Sequence, residues 1–332
     1  MSLGKVALYG CGGFGINTVR PWDMSLEANA AAAQKIAGHA NIRVTYVDTS
    51  RRNLVGDEKE ENVYLASGID GAGKLRRDSH TAFAEENAVQ QILVAHPPEA
   101  LNIVPFSLSG GSGNTVGTGL VEAMLKAGHR VIAVIVGSCE NALTMKNSID
   151  SLVTLDGKAR KLGVPFVVAY EDNGDNSERA IVDDRVKSII ASLVVLSGPN
   201  VRELDGADLT NWLRYDRIPG VNVAPQLSLL EVVSDAAELS GMSDPISIAS
   251  IISDTSETLK GLTPDYSTVG YHAEGTVGAP SYHYVISVDA VAGLAGMLRD
   301  RQAEVEKRRQ ARKTQQAIAS EADNIGDDGF AF

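Results

Sequence analysis

The chain has 332 residues, of which 44% are hydrophobic and 22% charged, and its formal net charge is −12. This length allows two domains with separate cores, and no apolar run approaches the roughly 20 residues that span a bilayer. The acidic excess disfavours direct binding to nucleic acid, because phosphate contacts require a basic surface. Composition therefore predicts a soluble, globular protein with neither a membrane nor a direct nucleic-acid partner.

Two features argue against secretion and against a structural metal. Lys5 leads directly into a strand-like run and a glycine turn, not into an apolar leader. The two cysteines, Cys11 and Cys139, lack the CxxC or CxxxC spacing of zinc sites and of disulfide frameworks. We expect both to be reduced side chains of an intracellular protein.

The N-terminal segment has the order strand, glycine turn, helix. A β-like run at 5–9 is followed by the glycine turn 10–15, as in many nucleotide-binding α/β units, including dinucleotide enzymes. The next strand-like run, 42–47, ends at Asp48, which lies 33 residues after Gly15. A compact dinucleotide unit places its ribose-binding acid about 20 residues on. This spacing disfavours a nicotinamide-dependent oxidoreductase.

A second glycine-rich loop, SGGSGNT at 109–115, follows the apolar segment 101–108. Small residues let the backbone approach an anion closely, and helical spacing from Val116 onward places a helix N-terminus behind the loop. No Lys-Ser or Lys-Thr pair closes the loop, so it is not a Walker A motif. The sequence predicts a phosphate site made of backbone N–H groups and a helix dipole.

The loop at 109–115 resembles the signature of the tubulin and FtsZ family, small-Gly-Gly-Thr-Gly-small-Gly, which wraps the phosphates of GTP. Ser112 stands where the family usually has Thr, while Asn114 and Thr115 replace a smaller residue and the last Gly. The resemblance implies that both glycine loops contact the nucleotide. The residues concerned are Gly12, Gly13, Asn17, Gly110, Gly111, Ser112, Gly113, Asn114 and Thr115.

Three further segments take their roles from this resemblance. Gly71, Ala72 and Gly73 look like the family's loop that senses the terminal phosphate, although such a triplet taken alone is an ordinary surface turn. Glu140 follows the next buried strand, in the place of a loop near the ribose. Asp48 lies in a turn near the phosphates, where it is a possible ligand of Mg²⁺ through water, with the ion held mainly by GTP.

Guanine recognition is predicted after the buried strand 164–170 and near the start of the following helix. By resemblance, Asn173 hydrogen-bonds guanine, with Asn176 as the second choice. Asp183 lies 22 residues before Asp205, in the place of an acid that pairs with two guanine hydrogens that adenine lacks. The alternative is that Asp183 is a first-turn acid that stabilises the helix dipole.

Residues 177–196 have the apolar spacing of a long central helix, which ends at Gly198-Pro199. The following segment resembles the family's catalytic loop, with Asp205 and Asp208 at its two acidic positions. In that family the loop completes the pocket of the next subunit in a filament, where its acids polarise the water that attacks the terminal phosphate. Taken alone, two such acids also form an ordinary helix cap and turn.

The C-terminal part combines a second α+β region with a charged helix and an acidic tail. The predicted elements are a helix at 221–242, strands at 246–252, 268–275 and 282–289, and a helix at 290–319. The tail, 321–332, ends in two aromatic residues. It resembles the tail of the tubulin-like proteins of large bacteriophages, the PhuZ group, which binds an adjacent subunit; the alternative is a disordered end.

Together these patterns predict an α/β protein: a parallel-sheet GTP-binding domain joined by a long central helix to a smaller α+β domain, with a C-terminal helix and acidic tail. The predicted boundaries are 1–176, 177–197, 198–210 for the catalytic loop, 211–289, 290–320 and 321–332. By resemblance, the protein binds GTP or GDP with Mg²⁺, hydrolyses GTP and assembles head to tail with copies of itself. Its filaments would act in the cytoplasm of an infected bacterial cell, positioning phage DNA, capsids or the replication body indirectly. The alternatives are a plasmid-segregation protein of the TubZ type and an NAD-dependent oxidoreductase.

Overall fold

A computed structural model describes residues 4–29, 40–66, 76–138, 140–174, 179–234, 238–241, 244–253, 263–273 and 279–314. The strands of this part are β1 (Lys5–Cys11), β2 (Asn41–Asp48), β3 (Val63–Leu65), β4 (Leu101–Ser107), β5 (Val131–Ser138), β6 (Phe166–Asn173), β7 (Val201–Arg202), β8 (Leu227–Val233), β9 (Ser247–Ile252), β10 (Tyr266–His272) and β11 (Tyr282–Ser287). The α-helices are α1 (Gly12–Val19), α2 (Arg76–Glu85), α3 (Ala88–Ala95), α4 (Ser112–Lys126), α5 (Ala142–Leu162), α6 (Arg179–Leu196), α7 (Gly206–Leu213) and α8 (Asp289–Thr314).

All the described strands belong to one sheet, in the order β3-β2-β1-β4-β5-β6-β8-β11-β9-β10-β7. The neighbours from β3 to β8 pair in parallel, whereas β11 is antiparallel to both β8 and β9. The β6–β8 pairing, with Phe166 opposite Leu227, joins the two regions that the sequence predicted as separate domains. The sheet therefore runs through both regions without a break.

Helices cover both faces of the parallel part of the sheet. On one face, α1 and α6 contribute Ile16, Val186 and Ile190 to a core that includes alternate residues of β1 and β4. On the other face, α4, α5 and α8 pack against the residues that point the opposite way. Strand β5 is buried along its whole length, as expected for a strand covered on both sides. In the described residues, no helix has the length and apolar character needed to cross a bilayer.

The prediction of a helix at 221–242 is wrong, because this segment contains strand β8. Residues Leu227, Leu229 and Leu230 are buried where β8 lies between β6 and β11. A short apolar run fits a buried strand and a buried helix equally well by periodicity. The pairing partners that select the strand come from distant parts of the chain.

Candidate functional site

A cleft of about 210 Å³ lies where β1, β2 and β4 end. Carboxyl ends of neighbouring parallel strands meet at one edge of a sheet, so the loops after these strands converge there. The cleft is lined by Cys11, Gly12, Gly13, Phe14, Asp48, Ser50, Asn53, Ser107, Gly110, Gly111, Ser112 and Gly113. The fold thus brings together the two predicted glycine loops and the turn after β2.

The two glycine loops touch through their backbones. Gly12 has φ +68°, and a Cβ atom there would lie 2.8 Å from the Gly113 Cα. A Cβ atom on Gly113 would lie 2.5 Å from the carbonyl oxygen of Cys11. Any side chain at either position would push the loops apart, so glycine at both is a condition of this cleft.

The second loop leads directly into α4, which begins at Ser112. Among the described residues, no side chain caps this helix N-terminus, so its first N–H groups are available to an anion. The side chains of Asn114 and Thr115 do not face the cleft: the Asn114 amide donates to Ser151 Oγ at 2.9 Å, and Thr115 Oγ1 donates to the Gly111 carbonyl at 3.0 Å. Asn114 can therefore offer an anion only its backbone N–H group. Thr115 offers neither group, because its backbone N–H also donates to the Gly111 carbonyl, at 3.2 Å.

Asp48 lines the cleft at the end of β2. The residue is only 2% exposed, and its two carboxylate oxygens accept hydrogen bonds from Thr49 N at 2.7 Å and Asn53 Nδ2 at 2.6 Å. Thr49 Oγ1 in turn donates to Ser112 Oγ at 3.1 Å, which ties this turn to the second glycine loop. Within the described ranges, no three His, Cys, Asp or Glu side chains are grouped as metal ligands.

A partly buried ion pair, which was not predicted from the sequence, holds the turn after β2. Arg20 Nη2 lies 2.7 Å from Glu58 Oε1, and the Glu58 side chain is 1% exposed. The same arginine donates to the Asn53 carbonyl at 2.8 Å and to Asn17 Oδ1 at 2.8 Å. Asn17, which was predicted to contact nucleotide, is exposed on α1, and its side-chain oxygen accepts this hydrogen bond from Arg20. The partners are separated by 38 residues, and no spacing rule links them.

The Glu58 pair predicts a specific response to acid. Burial opposes ionisation, but Arg20 and the N–H groups of Val55 and Gly56 outweigh it and lower the pKa of Glu58 from 4.5 to about 2. A carboxyl whose pKa is lowered on folding stabilises the native state above its unfolded pKa, and this stabilisation is lost as pH falls through the folded value. Glu58→Gln should therefore lower stability at pH 7 and flatten the loss of stability between about pH 4.5 and 2, measured by urea unfolding at a series of pH values. If the variant lost stability with falling pH as steeply as the wild type does, this prediction would be contradicted.

The sequence placed Asn173 in the loop after a strand, but in the structure it is the last residue of β6. Its Oδ1 atom is buried and has no hydrogen-bond partner among the described residues. An unpaired buried acceptor costs about 1–3 kcal/mol, so this position is suited to a ligand that brings an N–H donor.

Two further predicted residues lie near the same edge of the sheet. Arg179, the first residue of α6, donates from Nε to Glu140 Oε1 at 2.9 Å and so links the loop after β5 to α6. Asp183 follows one turn later and is half-buried; burial raises the pKa of its carboxyl, and Lys187 opposes that rise. Outside the described residues lie Gly71, Ala72, Gly73, Asn176 and the tail 321–332.

Asp205 and Asp208 form a reciprocal cap at the start of α7. Asp205 Oδ1 accepts from Ala207 N at 2.6 Å and Asp208 N at 3.0 Å, while Asp208 Oδ2 accepts from Asp205 N at 2.9 Å. These backbone N–H groups lower the pKa of the Asp205 carboxyl. Tyr266 donates its hydroxyl to Asp208 Oδ1 at 3.4 Å. The structure therefore contains the cap that the sequence offered as the alternative reading of these two acids.

These two acids lie at the edge of the sheet opposite the cleft. The end of α6 is fixed beside the start of β1, because Gly4 N donates to the Ser197 carbonyl at 2.7 Å. Arg130, which precedes β5, donates to the Gly206 carbonyl at 3.1 Å, within the cap itself. A seven-residue strand is about 23 Å long, so the acids cannot reach the cleft of their own subunit.

The chain is similar in sequence and in structure to tubulin-like proteins of bacteriophages. A family model for the C-terminal domain of phage tubulin-like proteins matches residues 204–291. The phage tubulin-like protein of Pseudomonas phage PhiPA3 is 31% identical over 332 residues, covering 99% of each chain. The solved protofilament of TubZ from bacteriophage PhiKZ superposes with a TM-score of 0.82 at 25% identity, covering 95% of each chain. The structure of the phage tubulin PhuZ with GDP has a TM-score of 0.81 at 24% identity, covering 99% of this chain and 100% of that one.

The fold likeness confirms the predicted fold class, and its extent leaves little of the chain unaccounted for. The sequence relationship extends over both the glycine-loop half and the half that follows α6. On these grounds the chain belongs to the family of phage tubulin-like proteins.

Proposed function

We propose that this protein binds GTP in the cleft between its glycine loops and assembles head to tail into filaments that hydrolyse GTP. The observation that carries the proposal is the placement of the phosphate cleft and the acid pair at opposite edges of one sheet. A structural relative has been solved as a protofilament and another with GDP, which supports both parts of the proposal.

The phosphates are bound mainly by backbone N–H groups. Contact between Gly12 and Gly113 brings two loops to one anion, and the uncapped start of α4 adds the positive end of its dipole. Mg²⁺ fits this cleft as an ion held by the phosphates and water, with Asp48 reaching it through water, because both Asp48 oxygens already accept hydrogen bonds. When bound, the ion neutralises negative charge on the phosphates.

Guanine is selected at the far end of the same edge. Asn173 offers a buried acceptor that lacks a partner in the described structure, which suits a purine N–H donor. The Asp183 carboxylate on α6 accepts from the two adjacent N–H groups of guanine, and adenine has no such pair. Glu140, held by Arg179, lies where the loop after β5 reaches the ribose.

Hydrolysis requires a second subunit. In a head-to-tail stack, the carboxyl edge of one sheet meets the amino edge of the next, which brings Asp205 and Asp208 over the neighbour's cleft. There Asp208 orients the attacking water and accepts its proton, while the loop N–H groups stabilise the charge that develops on the phosphate. Such a heterologous contact does not close, so it propagates as a filament.

Two parts of the proposal rest on family resemblance. The tail 321–332 binds an adjacent subunit, and the filaments position phage DNA, capsids or the replication body in the cytoplasm of the infected cell. The acidic net charge of −12 is consistent with a cargo that is not contacted through its nucleic acid directly.

Right-angle light scattering of the purified protein tests the function, with GTP, GDP, ATP and NAD added in parallel. We expect a rise with GTP that reverses as phosphate is released, since assembly completes the hydrolytic site. GDP, ATP and NAD should leave the signal flat. No rise with GTP at high protein concentration would overturn the proposal.

A further inference from the structure

The strand end that carries Asn173 is held on both faces by arginines. Successive side chains of a strand point to opposite faces of the sheet. The two residues before Asn173, Glu171 and Asp172, therefore meet helices on opposite faces. Glu171 Oε2 lies 3.7 Å from Arg185 Nη1 of α6 on one face. Asp172 Oδ2 lies 2.6 Å from Arg301 Nη1 of α8 on the other. We call these two ion pairs the arginine clamp.

The α8 side of the clamp is anchored in the core. Leu294 and Leu298 of α8 are buried with residues of α5 and β8, and Arg301 lies one turn further along the same face of the helix. The Asp172 side chain is only 15% exposed, so its charge is shielded from water and depends strongly on its partner. Arg299, two residues earlier, is exposed and has no ion pair within the described ranges.

The two halves of the clamp are unequal. The Arg185 side chain is 64% exposed and its contact with Glu171 is long, so this pair contributes little. The contact between Arg301 and Asp172 is short, with side chains that are 40% and 15% exposed. It joins residues that are 129 apart in the chain. The C-terminal helix therefore provides the stronger restraint on this strand end.

We propose that Arg301 is a positioning residue for guanine recognition: through Asp172 it fixes the end of β6 so that Asn173 faces the base. This inference rests on the proposed function, in which Asn173 contacts guanine. Because coupling between two sites is reciprocal, nucleotide binding must in turn strengthen the docking of α8. The helix that leads into the acidic tail is thereby linked to the occupancy of the nucleotide site.

The test compares Arg301→Met with Arg299→Met, a matched change on the same helix outside the clamp. Methionine keeps the apolar stem and removes the charge. Affinities for GDP and ADP are measured by competition against a fluorescent GDP analogue, at protein concentrations below the threshold for assembly. The unfolding temperature of each variant is measured without nucleotide. We expect Arg301→Met to weaken GDP binding by about fivefold or more and ADP binding by less than about twofold. Arg301→Lys should recover part of the loss, and Arg299→Met should resemble the wild type.

The outcomes separate this inference from the proposed function. If the wild-type chain binds ADP as tightly as GDP, the proposed function fails and the clamp fails with it. If the wild type prefers GDP but Arg301→Met keeps the same affinity and preference, only the clamp is overturned. An equal loss of GDP and ADP binding together with a lower unfolding temperature would also overturn it, since that result describes a general structural role. Asp172→Asn should reproduce the loss of GDP preference with α8 unchanged in sequence.

Discussion

Replacing Gly113 with alanine should weaken GTP binding by about tenfold or more and lower stability by about 1–3 kcal/mol. The added Cβ would lie 2.5 Å from the Cys11 carbonyl oxygen, and a backbone atom cannot rotate aside as a side chain can. The first glycine loop must then move away, which separates the N–H groups that bind the phosphates. Isothermal titration with GTP and thermal unfolding measure the two effects.

Gly157→Ala is the matched control for this change. Gly157 lies inside α5, and a Cβ atom there would meet no heavy atom of the described structure within 4 Å apart from its chain neighbours and the nearby backbone of its own helix. Alanine should stabilise this helix by about 0.5–1 kcal/mol and leave GTP binding unchanged. If Gly113→Ala bound GTP as tightly as Gly157→Ala, the contact between the two loops would not be needed for nucleotide binding.

Asp208→Asn should leave GTP binding intact and slow GTP hydrolysis by about a hundredfold to a thousandfold. Asparagine keeps an oxygen that can accept from Asp205 N, so the cap on α7 survives. The amide cannot take a proton from water, so only the chemical step suffers. Phosphate release in the assembled state measures this change, and normal turnover would remove Asp208 from the mechanism.

Mixing the two variants tests whether the site is shared between subunits. Asp208→Asn subunits have an intact cleft, and Gly113→Ala subunits have intact acids. Each is expected to hydrolyse GTP poorly when assayed separately. Part of the activity should return on mixing, because a normal cleft then meets normal acids at some contacts. No recovery in filaments that contain both variants would mean that the acids act on the cleft of their own subunit.

The fold was predictable because its signals are local and ordered along the chain. The apolar run 131–136 without alternation indicated a strand buried on both faces, and β5 is such a strand. Glycine turns after two strands indicated where the backbone approaches a ligand, and the structure joins them at Gly12 and Gly113. These features depend on neighbouring residues, which a single sequence shows.

What the sequence did not reveal depends on contacts between distant residues. Arg20 and Glu58, like Asp172 and Arg301, are ordinary charged residues until the fold brings them together. Asn114 was predicted to contact nucleotide, and only the fold shows that its side chain is used elsewhere, because it donates a hydrogen bond to Ser151 of the next helix. Strand β8 was mistaken for a helix because its neighbours in the sheet, β6 and β11, lie far away in the chain.

The order of the strands also bears on how this chain is synthesised. Strands β1 to β6 lie side by side in the sheet, so they can pair as they leave the ribosome. In the described structure, β8 is the strand that pairs with the outer edge of β6, and about 50 residues separate Asn173 from Leu227. At about 5–20 residues per second, this edge stays open for several seconds. An open strand edge is a template for other chains, so the nascent protein passes through an aggregation-prone stage before its sheet is complete.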